Sequence, residues 1–176
     1  MNDRKKRNRA IKLSNIAGIM AAAWMCVIFA FSAQTKEESS VVSEGFSYRM
    51  VSSTGLLFHL HIDEEQVREI AASIERTVRK CAHMTEFAIL ALLVYGWMCR
   101  WRISRRQRAF AAAGLTMLYA CSDEFHQLFV AGRSGRFSDV LVDSAGAVLG
   151  LLLFLIAVKG VEALRRRRSR AHGARI

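Results

Sequence analysis

The amino-acid sequence predicts an all-α protein, a four-transmembrane-helix bundle with an external amphipathic helical segment between helices 1 and 2. Three observations carry the prediction. Hydrophobic residues make up 52% of the chain and are gathered into blocks. Proline is absent, so nothing forces a helix to break. Basic clusters ("DRKKRNRAIK", "RWRISRRQR" and "RRRRSR") flank the apolar blocks, as topology signals flank membrane spans. The net charge of +11 therefore does not point to nucleic acid, since no aromatic platform or nucleic-acid motif accompanies "RRRRSR".

The elements follow in chain order. Residues 1–12 form a basic arm. The first span, 13–33, is uncharged and long enough to cross a hydrocarbon core of ~30 Å. It exceeds the hydrophobic region of a signal peptide and reads as a retained anchor. An external segment, 34–80, mixes six basic with eight acidic residues. Within it, residues 44–61 are too short and too interrupted by Gly55 to span. They are expected to rest in the interface as a shallow amphipathic element or a re-entrant loop. Asp63 with Gln66 three residues on resembles a capping box, and Val67, Ile70, Ala71, Ile74, Val78 and Cys81 then keep helical spacing. A helix starting near Glu64 is expected to run into the second span, 81–99. The third span, 109–130, is apolar until its final third, and the fourth, 140–158, carries only Asp143. Residues 13–158 form one transmembrane domain and 159–176 a basic tail.

The four cysteines (Cys26, Cys81, Cys99 and Cys121) form no CxxC pair, which argues against a zinc site or a disulfide framework. The Lys/Arg bias places both termini and the 100–108 loop in the cytoplasm. The 34–80 segment and the 131–138 turn then face outside, in a multi-pass cell-membrane protein.

This topology gathers the ionisable residues of the spans into one layer near the external face. His83 and Glu86 open the second span; Asp123, Glu124, His126 and Gln127 close the third; Asp139 and Asp143 open the fourth; Arg133 and Arg136 lie in the turn between. Arg79, His83 and Glu86 share a helical stripe, as do Asp123 and Gln127. Asp139 and Asp143 share a face with Gly146 and Gly150, a small-xxx-small pair that admits a close helix neighbour. His126 reads as an interface residue on a different face from Asp123. An outward-facing polar pocket lined by the second, third and fourth spans is expected. An acidic side chain at mid-bilayer costs ~2.5–3.5 kcal/mol on insertion scales, less toward the interface. The bland alternative is that Arg133 and Arg136 neutralise Asp123, Asp139 or Asp143 as interhelical staples. The layer holds more charged groups than one or two staples need, which favours a ligand site.

"RKCAHMTEFAIL" and "DEFHQLFVAGRSGRFSDVLVDSAGAVLG", with an apolar first helix ending in "FSAQ", resemble the VanZ-like family of bacterial membrane proteins over roughly residues 20–158. The resemblance implies that His83, Glu86, Glu124, Gln127, Arg133, Asp139 and Gly146 are the marked positions. Phe87 stands where the family often has Tyr, and Asp143 where it often has Asn. The family takes its name from a protein linked to low-level teicoplanin resistance, and membership implies no defined biochemical activity.

Three function classes follow from the residues. The first is a non-enzymatic membrane protein whose pocket binds an envelope component, such as a lipid or glycolipid headgroup or a lipid-tailed glycopeptide. Arginines in a Gly-containing turn suit phosphate or carboxylate. The second is an intramembrane enzyme acting on a lipid-linked substrate. In it His83 serves as general base, oriented by Glu86 or Asp123, or Asp123, Glu124, Asp139 and Asp143 hold a divalent cation. No nucleophile elbow, zincin helix or phosphatase signature accompanies it, so binding ranks ahead of catalysis and no cofactor or metal is expected. The third, a transporter, conflicts with inner span halves that lack ionisable residues.

Overall fold

The computed structural model describes residues 2–173. Its elements are α1 (Asn2–Ser32), α2 (Lys36–Leu57), α3 (Glu64–Trp97), α4 (Arg105–Gln127) and α5 (Phe137–Gly173), with a single 3-10 turn at Met98–Arg100. The all-α expectation holds, and no strand occurs among the described residues. The basic flanks are helical too, extending α1 and α5 beyond their apolar centres.

Three capping boxes set the helix starts. Asp63 accepts from the Gln66 N–H at 2.8 Å while the Asp63 N–H donates to Gln66 Oε1 at 3.1 Å, so α3 begins where its sequence signature places it. Thr35 with Glu38 and Ser104 with Gln107 do the same for α2 and α4.

Two expectations need correction. Three helices, not four, are long and apolar enough to cross a membrane: α1, α3 and α5. The helix expected as the third span, α4, falls short because its apolar run, 109–121, is bounded by Arg105, Arg106 and Arg108 before and by Asp123, Glu124 and His126 after. The 44–61 stretch, expected as a shallow amphipathic element or a re-entrant loop, is helical over residues 44–57 as part of α2. That helix runs antiparallel against the first half of α3, with Val51 packing on Val67 and Ala71. Gly55 lies in its last turn, so it interrupts nothing. The face that α2 turns toward α3 is small and polar: Ser43 and Ser47 are buried, while Val42, Phe46 and Met50 are exposed. Side chains that small let two helices approach closely, and they leave no apolar periodicity to read.

α3 is the hub of the bundle. Its 34 residues rise about 51 Å at 1.5 Å each, well beyond a ~30 Å hydrocarbon core. The helix therefore packs on α1, α4 and α5 along its second half and on α2 along its first. The main core centres on Phe87, Ile28 and Leu90, with Ala91, Ala112, Ala120 and Ala147 at the closest crossings. Phe87 sits wholly inside this core, against Tyr119. α5 meets α3 through its glycines. A Cβ on Gly146 would lie 2.3 Å from the Met84 carbonyl oxygen, and one on Gly150 would lie 2.8 Å from the Ala88 Cβ. The outside is apolar in the manner of a lipid-facing surface, with Ile19, Leu118, Leu153 and Ile156 among its exposed side chains. All four cysteines are free and exposed.

Candidate functional site

At the end of the bundle that carries the α4–α5 turn, α3, α4 and α5 enclose a cavity of about 410 Å³. His83, Glu124, Gln127, Arg133, Arg136, Asp139 and Asp143, all singled out in the sequence, line it. So do Lys36, Arg76, Arg79 and Lys80, which the sequence reading did not assign to it. A signal existed for three of these: Arg76, Arg79 and Lys80 precede His83 by seven, four and three residues and share its side of α3. Lys36 had none, because only the fold brings the start of α2 to the cavity, where its Cβ lies 3.2 Å from the place a Gly132 Cβ would occupy. Gly132 itself adopts a positive φ of 73°, which suits the turn to glycine.

Asp123 and Glu86 lie behind the wall instead of in it. Asp123 is buried, and its Oδ2 accepts from the Ser32 hydroxyl at 2.6 Å and from Gln127 Nε2 at 3.2 Å. Gln127 Nε2 also donates to Ser32 Oγ at 3.3 Å, so one triad ties α1 to α4 beneath the pocket. Glu86 Oε2 stands 3.6 Å from His83 Nδ1, one turn away on α3. The Glu86 main chain receives the Trp24 indole N–H at 2.9 Å. His126 is not in the wall; its ring stacks on Phe29 with centroids 4.3 Å apart.

The arginine-to-acid staples do not form among the described residues. Arg133 donates to the carbonyls of Gln34, at 2.8 Å, and Phe31, at 3.3 Å, closing off the C-terminus of α1. A cation there meets carbonyls that the helix leaves unsatisfied and complements its dipole. Burial, reinforced by the nearby Arg79 guanidinium, lowers the pKa of Arg133 from its ordinary value. Arg136 donates its Nε to Ser134 Oγ at 3.2 Å, and its main-chain N–H to Glu124 Oε2 at 2.9 Å. Arg79 is held by Glu75, Ser40 and Ser43 at the α2–α3 seam. Lys80 pairs with the first acid of α5, its Nζ 3.5 Å from Asp139 Oδ1.

Chemically, the wall is a cationic rim over a carboxylate floor. Lys36, Arg76, Arg79, Lys80, Arg133 and Arg136 outnumber Glu124, Asp139 and Asp143, and of the acids Glu124 and Asp143 are buried while Asp139 is half-exposed. Among the described residues no three His, Cys, Asp or Glu side chains converge closely enough to hold a metal ion. Such a wall favours a ligand with an anionic group at its outer part.

A model of the VanZ/LLP1 family matches residues 17–158, which take in α2 to α4, most of α1 and the whole apolar centre of α5. No curated protein and no solved structure matches the chain. The chain belongs to the VanZ/LLP1 family and, with its three long apolar helices, is a multi-pass membrane protein.

Proposed function

We propose that this protein is a cell-membrane factor whose polar end faces outward and holds the phosphate-bearing headgroup of an envelope lipid or glycolipid. In this reading α4 completes a four-helix transmembrane bundle. Phe110, Leu115, Leu118 and Phe125 on it are exposed, as lipid-facing residues are, while its acids are turned inward, Glu124 into the pocket wall and Asp123 behind it. Both termini are cytoplasmic, because the basic clusters lie at the end of the bundle away from the cavity. The observation that carries the reading is the excess of basic side chains around a cavity open at the end of a lipid-facing bundle. Two tests bear on it. A Cys placed at exposed Ser53 is expected to react with an impermeant maleimide in intact cells, and labelling only after permeabilisation would reverse the topology. Short-chain phosphatidylglycerol titrated into the detergent-purified protein is expected to bind, and Arg136→Ser to weaken it. Affinity unchanged by that variant would remove the pocket from the account.

The 3.6 Å approach of Glu86 to His83 supports a second reading, an intramembrane enzyme in which Glu86 orients His83 as general base toward a lipid-linked substrate. Headgroup binding retained by His83→Gln leaves the first reading sufficient. Turnover of a lipid-linked ester that this variant abolishes would favour the second. A lipid-tailed glycopeptide such as teicoplanin would meet the same outward pocket, so expression of the protein is expected to raise the teicoplanin concentration that stops growth.

A further inference from the structure

One carboxylate in the pocket has no partner. Asp143 lines the cavity and is only 2% exposed. No hydrogen bond or ion pair reaches its carboxylate among the described residues. The other acids of the wall are engaged: Glu124 accepts the Arg136 N–H at 2.9 Å, and Asp139 lies 3.5 Å from Lys80. Neither Lys80 nor Arg133 neutralises Asp143. Lys80 reaches only the carboxylate one helical turn above it, about 5.4 Å along the axis. Arg133 is spent on the carbonyls of Gln34 and Phe31.

We infer that Asp143 receives the ammonium group of the ligand, so that the pocket takes a phospho-amine headgroup of the phosphoethanolamine class. The inference rests on the headgroup reading above and adds the second half of the ligand. A buried carboxyl without a partner is costly to ionise, and a neutral sugar hydroxyl does nothing to offset that cost. A primary ammonium neutralises it and brings three N–H donors. The floor offers acceptors for them. Beside Asp143, Glu124 has Oε1 left over, and Gln127, whose Nε2 is committed to Ser32 and Asp123, has its own Oε1. A divalent cation suits the floor less well, because no three carboxylate or imidazole groups converge. A quaternary choline would bring charge without donors. With the rim one turn above Asp143, an ethanolamine-length linker sets the phosphate among the basic side chains while its nitrogen reaches the floor.

The test titrates dihexanoyl phosphatidylethanolamine, phosphatidylglycerol and phosphatidylcholine into the full-length protein in detergent. The ethanolamine lipid is expected to bind roughly tenfold or more tightly than the other two, as a charge-assisted hydrogen bond implies. Asp143→Asn is expected to erase that preference while phosphatidylglycerol binds as well or better. Glu124→Gln gives the same reading should Asp143→Asn not fold. Equal affinities in the wild type, or a preference that survives both variants, would overturn the inference while leaving the headgroup site standing. Absence of binding by all three lipids would instead overturn the headgroup reading. Soluble sn-glycero-3-phosphoethanolamine separates the sources. Competition with the lipid supports recognition of the headgroup from lipid or solute, and binding of the lipid without such competition supports a membrane lipid alone.

Discussion

The two ends of the bundle carry charge in opposite ways. At the end that holds the α3–α4 connection, charged groups are exposed and meet one another or water. Arg105 and Glu162 pair at 2.7 Å with side chains 59% and 39% exposed, and Arg100 donates to Asn15. At the polar end Asp123, Glu124 and Asp143 are buried, and the side chains of Arg133 and Arg136 bond to main-chain carbonyls and a serine in place of those acids. An exposed pair gains little over solvation and can be exchanged freely. Buried charge that the chain does not match internally is costly to keep, which is the physical ground for assigning that end to a ligand.

The comparison can be broken at graded depths. The largest effect is expected where the helices that build the pocket touch. Gly146→Leu forces a side chain against the Met84 main chain, 2.3 Å from where its Cβ would begin. Overpacking of this kind costs about 1–3 kcal/mol even when side chains give way, and here backbone must move. Thermal unfolding in detergent should drop sharply, while Gly160→Leu, with nothing within 4 Å of its Cβ position, should leave it unchanged. Next come the two buried aspartates, which should answer with opposite signs. Asp123→Ala leaves the Ser32 hydroxyl without its acceptor and takes one of two acceptors from Gln127 Nε2, and is expected to cost about 1.5–3 kcal/mol, the worth of hydrogen bonds to a charged group. Asp143→Asn removes a buried carboxyl that has no partner and is expected to stabilise the ligand-free protein by on the order of 1 kcal/mol. Loss of stability in both variants would make Asp143 an architectural residue. The double exchange Arg133→Asp with Asp139→Arg is expected to rescue neither single change, because these two side chains are not partners. The smallest effect belongs to the opposite end, where Arg105→Ala should leave the melting temperature unmoved.

How much of this was legible in the sequence follows from which signals are local. The α3 cap at Asp63 and the glycine pair on α5 are fixed by residues three or four apart, and the structure puts them where that spacing does. The layer of ionisable residues was legible as well, because position within an apolar helix is itself a depth coordinate. α2 is hard to see in the sequence although Thr35 and Glu38 spell a capping box, since its contact face is mostly small and polar, with Val51 its buried apolar residue, while Val42, Phe46 and Met50 are exposed. The apolar run of α4 is legible too, but the charge at both its ends leaves it short of the length and apolarity of α1, α3 and α5. Partner choice was the least legible. Ser32 on Asp123, Lys80 on Asp139 and Arg133 on the end of α1 join residues 59 to 102 positions apart, and no periodicity carries that information.

The most direct test of the headgroup site is native mass spectrometry of the protein released from its own membrane, compared with Arg136→Ser. Arg136 is exposed, and its side chain bonds only to Ser134, so the variant should fold as the wild type does. The account predicts a single retained adduct of phospholipid or phosphoglycolipid mass on the wild type, largely lost from the variant. Equal adducts on both, or none on either, would contradict it.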